Sequence, residues 1–393
     1  MTVVDRDAEL ETLARDLVRI ESESPPGNEA AVVECVTDWL ETNNIDHHIV
    51  EKPYEDRPQL AARVGSGDPT VVYNGHVDVV PAGDPDRWTN NPYDGHIEDG
   101  MLYGRGAADM KTGLAVGLCA LRSMRETLKD GHRSGSVVLH AAIGEETADP
   151  GTKTLLEEGY DGDYGIVLEP TDFRVATRSK GLACYELTVY GEQSHASRPD
   201  QGSNAIETAG QLLDIIAEYD ADLRKNKDPL VGHAYATVTQ MEAGTDSNMA
   251  VLPEEATLLL DRRVLPAESL DDVDREIVTL LDRLETEHGA GASWRRVQEY
   301  AAASVPTDTH LAQVLRSHVD AVTGTLPDPW GIEAATDVRN FVNDAGMEAV
   351  TWGPGHLEQA HTVDECVDLR DAAAGLEILK RTTEDLLESA DNG

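Results

Sequence analysis

The chain has 393 residues, of which 40% are hydrophobic; this is long enough for two cores and too apolar for a disordered chain. It carries 74 Asp and Glu against 32 Lys and Arg, a formal net charge of -42, so its surface repels nucleic acid and anionic membranes and neither is expected as a partner. The carboxylates are spread through periodic apolar segments rather than gathered in a tail, and such a composition resembles that of proteins working in concentrated salt.

Leu10, Leu13, Leu17 and Ile20 recur at helical spacing among charged residues, which predicts a helix over 5–20 and not a signal peptide. Further helices are expected over 28–43, 110–128 and 151–158, alternating with strands over 60–64, 70–76, 136–143 and 164–168. That alternation predicts an α/β domain with a central mixed, partly parallel sheet. From Ser179 the pattern changes to strand 182–190, helix 203–219, strands 234–242 and 255–261, helix 269–288 and strand 293–299, which reads as an α+β sandwich. Helices near 308–322, 336–344 and 371–388, with a strand near 347–352, restore the first style. The second unit is therefore an insertion: a metal-binding domain of residues 1–178 and 293–393 surrounds a domain of residues 179–292. Cys35, Cys119, Cys184 and Cys366 form no C-x-x-C pair and are expected as free thiols. No apolar run reaches membrane length, and a cytoplasmic location is expected.

Glu145 and Glu146 follow the apolar run 136–143, and two adjacent carboxylates at a strand end are costly unless a cation sits between them. Other apolar runs deliver His76 and Asp78, Asp109, and Glu169, and His361 lies far downstream. His76 and Asp78 are two apart on a strand, so both leave the same face, and Asp78 can accept the second ring N–H and aim His76 at a metal. Neighbours on extended backbone point apart, so one of Glu145 and Glu146 can bind metal while the other takes a proton from water. His and carboxylate ligands without Cys suit catalytic zinc, with cobalt or manganese as alternatives. Five ligands call for two metals roughly 3.5–4 Å apart, bridged by one Asp.

Gly75-His76-Val77-Asp78-Val79-Val80-Pro81, Gly104-Arg105-Gly106-Ala107-Ala108-Asp109-Met110-Lys111, Glu145-Glu146, Glu169-Pro170-Thr171, Ser194-His195-Ala196-Ser197-Arg198-Pro199 and Ala360-His361-Thr362-Val363-Asp364-Glu365 stand in this order. Together they resemble the di-zinc metallopeptidase family of acetylornithine deacetylase, succinyl-diaminopimelate desuccinylase, aminoacylase and the glutamate carboxypeptidases, over nearly the whole chain. The resemblance implies that His76, Asp109 and Glu169 hold one metal and Asp109, Glu146 and His361 the other, with Asp109 as the bridge. It implies that Glu145 is the general base acting on a bridging water, and that the Asp109–Met110 peptide is often cis. It implies a homodimer paired through the inserted domain, with His195 of one subunit donating to the oxyanion in the other subunit's site. Asn248, Arg263 and Arg339 match places where family members bind the substrate carboxylate or acyl carbonyl, and a fork of guanidinium donors suits a carboxylate.

The expected function is a cytoplasmic di-metal amidohydrolase that removes the acyl group from an N-acyl amino acid, of the desuccinylase or deacetylase type. A carboxypeptidase or dipeptidase acting on a short peptide is the alternative within the family. Glu at position 169, rather than Asp, resembles the family's deacylases and carboxypeptidases. A reading of another class is a non-catalytic, metal-stabilised binding dimer, whose mark would be loss of the base.

Overall fold

Four parallel strands form the centre of the sheet around which the first unit is built. In a computed structural model that describes residues 3–129, 134–244 and 250–389, the chain divides into two compact units. One is Met1–Arg178 with Ser304–Ile332 and Thr336–Gly393; the other is Ser179–Ala303 with Glu333–Ala335.

In the first unit Gly135–Ala142, Thr70–His76, Tyr164–Val167 and Glu348–Thr351 lie side by side and run parallel. His47–Val50 and Gln59–Ser66 flank them antiparallel on one side, and Ala176–Ser179 pairs antiparallel on the other, so the sheet is mixed as expected. Every residue of Thr70–His76 and Gly135–Ala142 is buried, the mark of strands covered on both faces. Helices Thr112–Leu128 and Leu369–Ser389 belong to that cover, and Leu17, Leu40, Tyr73, Leu114, Leu118, Leu139 and Leu379 are among its fully buried side chains. Each such side chain contributes roughly 1.5–3 kcal/mol on removal from water. The helix that follows Asp109 comes very close to the sheet because Gly113 has no side chain; a Cβ there would meet the Leu168 carbonyl oxygen at 2.2 Å.

Parallel strands place all their carboxyl ends at one edge, and loops leaving that edge are where α/β sheets form sites. His76 ends Thr70–His76, Glu145 and Glu146 follow Gly135–Ala142, and Glu169 follows Tyr164–Val167.

The expected helix over 336–344 forms from Val338 and continues as a wide helical turn over Asn340–Asp344. Polar side chains tie the start of this helix to the fold: Thr336 pairs with Thr351, and Asp337 accepts from Thr152 and, locally, from Asn340. A small sheet of His96–Glu98, Met101–Tyr103 and Cys366–Asp368 was not anticipated. Its hairpin turns at Asp99-Gly100, both with positive φ, a dipeptide that marks such turns.

The second unit is a four-stranded antiparallel sheet in the order Tyr235–Ala243, Glu255–Val264, Gly181–Tyr190, Ala292–Tyr300. Helices Ala205–Leu223 and Leu270–His288 cover one face, so burial alternates along Gly181–Tyr190 and Glu255–Val264. Asn204 and Ser269 cap the two helices by accepting from Ile206 and Asp272, as N-caps do. All four cysteines are free. Among the described residues no helix is long and apolar enough to cross a membrane.

Candidate metal centre

Asp109 stands between two imidazoles. Its Oδ1 is 3.2 Å from His76 Nε2, and its Oδ2 is 3.4 Å from His361 Nε2. Around this axis His76 Nε2 lies 3.8 Å from Glu169 Oε1, and His361 Nε2 lies 3.1 Å from Glu146 Oε2. His76, Asp109 and Glu146 each bring one ligand atom to within 4.8 Å of the others. The first unit thus gathers His76, Asp109, Glu146, Glu169 and His361 from five separate stretches of the chain. The Asp109–Met110 peptide is cis, and His361 has a φ of 63°, the left-handed region in which functional side chains are often held.

The protonation chemistry of this cluster is that of a cation site. Burial pulls the His76 imidazolium down, but the Asp109 hydrogen bond, with Glu169 and Asp78, holds it well above its ordinary value. Hydrogen bonds to Asp109 and Glu146 raise His361 to about 10. Burial works to raise Asp109, yet His361 and His76 together hold its carboxyl far below the usual carboxylate range. Burial pushes Glu169 well up, and Asp109 adds to the push. Protons thus do here what a divalent cation would do better: they neutralise crowded carboxylates away from water. Imidazole nitrogens and carboxylate oxygens are ligands that suit zinc, cobalt or manganese, so these residues fit such ions.

Glu145 and Glu146 leave their turn in different directions. Glu146 faces His361, whereas Glu145 is buried with an oxygen 4.0 Å from Arg339 Nη1. Burial raises the Glu145 carboxyl well above its ordinary value, opposed by His76 and Arg339 and assisted by Asp337 and Glu146. Arg339 is itself buried and lies 3.3 Å from Asp337.

Asp78 does something other than the expected orientation of His76 by its carboxylate. The carbonyl of Asp78, 2.9 Å from His76 Nδ1, faces the ring, while its carboxylate is 3.7 Å away. That carboxylate accepts the backbone N–H groups of Gly144 at 2.8 Å, Glu145 at 3.4 Å and Glu146 at 3.1 Å. Burial pushes it up to about 7.

Two residues of the quoted motifs had no role in the sequence reading and have one here. Glu365 accepts the backbone N–H of Ala108 at 2.9 Å and of Asp109 at 3.0 Å, and the guanidinium of buried Arg105 at 2.6 Å. It therefore ties the Asp109 loop to the His361 loop across 256 residues of sequence. The signal was Arg105, a charged residue inside a glycine and alanine run.

His195, Asn248 and Arg263 belong to the inserted segment. His195 is exposed, and its Nδ1 is 2.8 Å from Ser197 Oγ. Arg263 forms a two-pronged pair with Asp261, with Nε at 3.0 Å and Nη2 at 3.1 Å, while adjacent Arg262 is buried against Tyr219 and Glu268. Asn248 lies outside the described residues.

The sequence pattern of peptidase family M20/M25/M40 matches residues 72–385. The chain belongs to this family. Its metal-dependent hydrolases are the class to which the clustered His and carboxylate side chains correspond. Among curated relatives, a Staphylococcus epidermidis protein named "probable succinyl-diaminopimelate desuccinylase" is 28% identical over 410 residues, covering 93% of this chain and 95% of its own. A Staphylococcus aureus protein of the same name is 28% identical, covering 94% and 95%. Among solved structures, an M20 family metallo-carboxypeptidase from Sulfolobus solfataricus superposes with a TM-score of 0.80 at 17% identity, covering 97% of this chain and 99% of its own. Human carnosine dipeptidase 1 gives 0.75 at 17% identity, covering 98% and 97%. These structures share the M20 fold.

Proposed function

We propose that the protein is a two-metal amide hydrolase that removes a dicarboxylic or short acyl group from an N-acyl amino acid, of the desuccinylase or deacetylase type. The observation that carries this reading is the separation of the two adjacent glutamates. Glu146 faces His361 in the metal cluster, and Glu145 is turned to the buried Arg339. Full-length similarity to relatives named as desuccinylases supports the acyl-amino-acid substrate.

In this reading His76, Asp109 and Glu169 hold one ion and Asp109, Glu146 and His361 the other, zinc being the first candidate. Such ions supply positive charge to polarise an amide carbonyl and to lower the pKa of water. Glu145 takes a proton from the attacking water and returns it to the leaving nitrogen, a task that a carboxyl raised by burial performs well near neutral pH. Asp78 keeps the turn bearing Glu145 and Glu146 in place through three backbone N–H groups. Arg339, and from the inserted segment Arg263 and Asn248, bind the substrate's carboxylate or acyl oxygen. The inserted segment pairs two subunits, and His195 donates to the oxyanion in the partner's site. A cytoplasmic setting rich in salt completes the proposal and rests on the acidic composition.

The test is a hydrolysis screen with added zinc, cobalt or manganese on N-succinyl amino acids, N-acetyl amino acids and dipeptides, at low and molar salt. Turnover of the N-acyl substrates, abolished by chelator and restored by metal, is expected. The M20 fold shared with a carboxypeptidase and a dipeptidase favours one second reading, peptide hydrolysis. Turnover confined to dipeptides would select it.

A further inference from the structure

The turn that carries Glu145 and Glu146 is held at both ends. At its start, Asp78 accepts three backbone N–H groups. At its close stands Asp149, whose N–H bonds back to the Gly144 carbonyl at 2.9 Å. Gly144 has a φ of 74°, and a Cβ there would meet Asp149 Cβ at 2.3 Å, so the turn closes on itself tightly. Its far end is then gripped through the Asp149 carboxylate, which accepts from Tyr54 at 2.9 Å, Thr147 at 2.8 Å and Arg57 Nη1 at 2.6 Å.

Arg57 spends its other donors on a second carboxylate. Its Nε and Nη2 reach the fully buried Glu29, and Nη2 also reaches Ser24 Oγ at 3.3 Å. The segment it grips is anchored in turn to the strand end bearing the metal-site histidine. Ser22 Oγ donates to the Val77 carbonyl at 2.7 Å, and the Ser24 N–H donates to the Val79 carbonyl at 2.9 Å. The hydrogen bonds therefore close a ring, from His76–Val79 through residues 22–29 to Arg57, on to Asp149 and the Glu145–Glu146 turn, and back through Asp78.

We propose that Arg57 is a positioning residue for the metal centre, fixing the Glu145–Glu146 turn against the His76 strand end by bridging Glu29 and Asp149. The residue type follows from the task. A guanidinium offers a rigid fork that serves two carboxylates in one plane, whereas a lysine ammonium is a single point and can satisfy one of them well. A loosened turn would displace Glu146 from its ion and Glu145 from the reacting water. This rests on the proposed assignment of Glu146 as ligand and Glu145 as base.

The test titrates cobalt(II) into chelator-stripped wild type, Arg57→Lys, Asp149→Asn and Glu146→Gln, followed by visible absorption and calorimetry, with melting temperatures measured alongside. Arg57→Lys keeps the half-buried positive charge beside Glu29 and Asp149, so it stays folded where Arg57→Ala could fail. Wild type should bind two equivalents. Arg57→Lys and Asp149→Asn should weaken one of them by about 10–100-fold, as outer partners of ligands do. The weakened equivalent should be the one that Glu146→Gln loses, and kcat should fall at least about tenfold with KM nearly constant. Two equivalents bound as in wild type within about twofold, with only the melting temperature lowered, would show Arg57 to be merely structural and overturn the inference. Fewer than two equivalents in wild type would instead fail the two-metal reading itself.

Discussion

Asp78 accepts the backbone N–H of Glu146 through Oδ2 at 3.1 Å. A carboxylate two residues beyond His76 thus holds the backbone of the turn from which both glutamates leave. Its own carbonyl meets the His76 ring, so one residue orders two sides of the cluster.

The division of labour between adjacent glutamates gives the first prediction. Glu145→Gln should retain both metals and lower kcat by about 10²–10⁴, the contribution typical of a general base. Glu146→Gln should lose metal. Elemental analysis with steady-state kinetics checks both, and a metal-free Glu145→Gln beside a loaded Glu146→Gln would reverse the assignment.

Sharing of the site between subunits is tested by mixing. Glu145→Gln and His195→Ala proteins should each be inactive, and exchange of their subunits should create heterodimers with one intact site and partial activity. No recovery after exchange, verified by mass spectrometry, would count against a donated His195.

The pH dependence follows from the raised groups. His361 is held at about 10 by Asp109 and Glu146, from an ordinary value of 6.5. A group raised on folding contributes stability that is complete below its unfolded value and lost as pH rises through the folded one. In chelator the stability that His361 supplies should therefore be lost between about 6.5 and about 10, read as a difference from His361→Gln because buried Lys111, lowered to about 7, acts in the opposite direction over that range. Glu145 and Glu169, also raised, act in the same direction as His361 from lower pH. With metal the trend should reverse, because ligation displaces those protons and tightens as pH rises. Thermal melts of wild type and His361→Gln across this range with and without chelator decide it, and a stability difference between the two chelated proteins that does not shrink as pH rises would refute it.

Salt should act on the whole molecule. At 0.01 M the Debye length is ~30 Å and repulsion among the carboxylates of a chain with net charge -42 is barely screened; at 1 M it is ~3 Å. Melting temperature should rise with potassium chloride, and added zinc should raise it further only while His76, Asp109, Glu146, Glu169 and His361 are intact. A melting temperature that is flat or falls with salt would remove the reason to place the protein in a salt-rich cytoplasm.

Local chemistry was legible in the sequence by itself. The mixed α/β sheet followed from apolar runs alternating with helical spacing, because burial on both faces requires those patterns. The candidate ligands were chosen as His and carboxylates at the ends of apolar runs, where a charge is tolerated only with a partner, and the structure brings these side chains together. Residues 336–344 read as helical and are so from Val338, but the widening of that helix over Asn340–Asp344 and the bond of Asp337 to Thr152, 185 residues away, depend on tertiary structure. Tertiary structure alone decided that the Asp78 carboxylate serves the glutamate turn instead of the imidazole, that Glu365 holds Asp109 from 256 residues away, and that Arg57 joins Glu29 to Asp149. The physical reason is common to all three. A buried carboxylate is stable only where donors converge on it, and which donors converge depends on how the chain ends of distant strands are brought to one edge of the sheet.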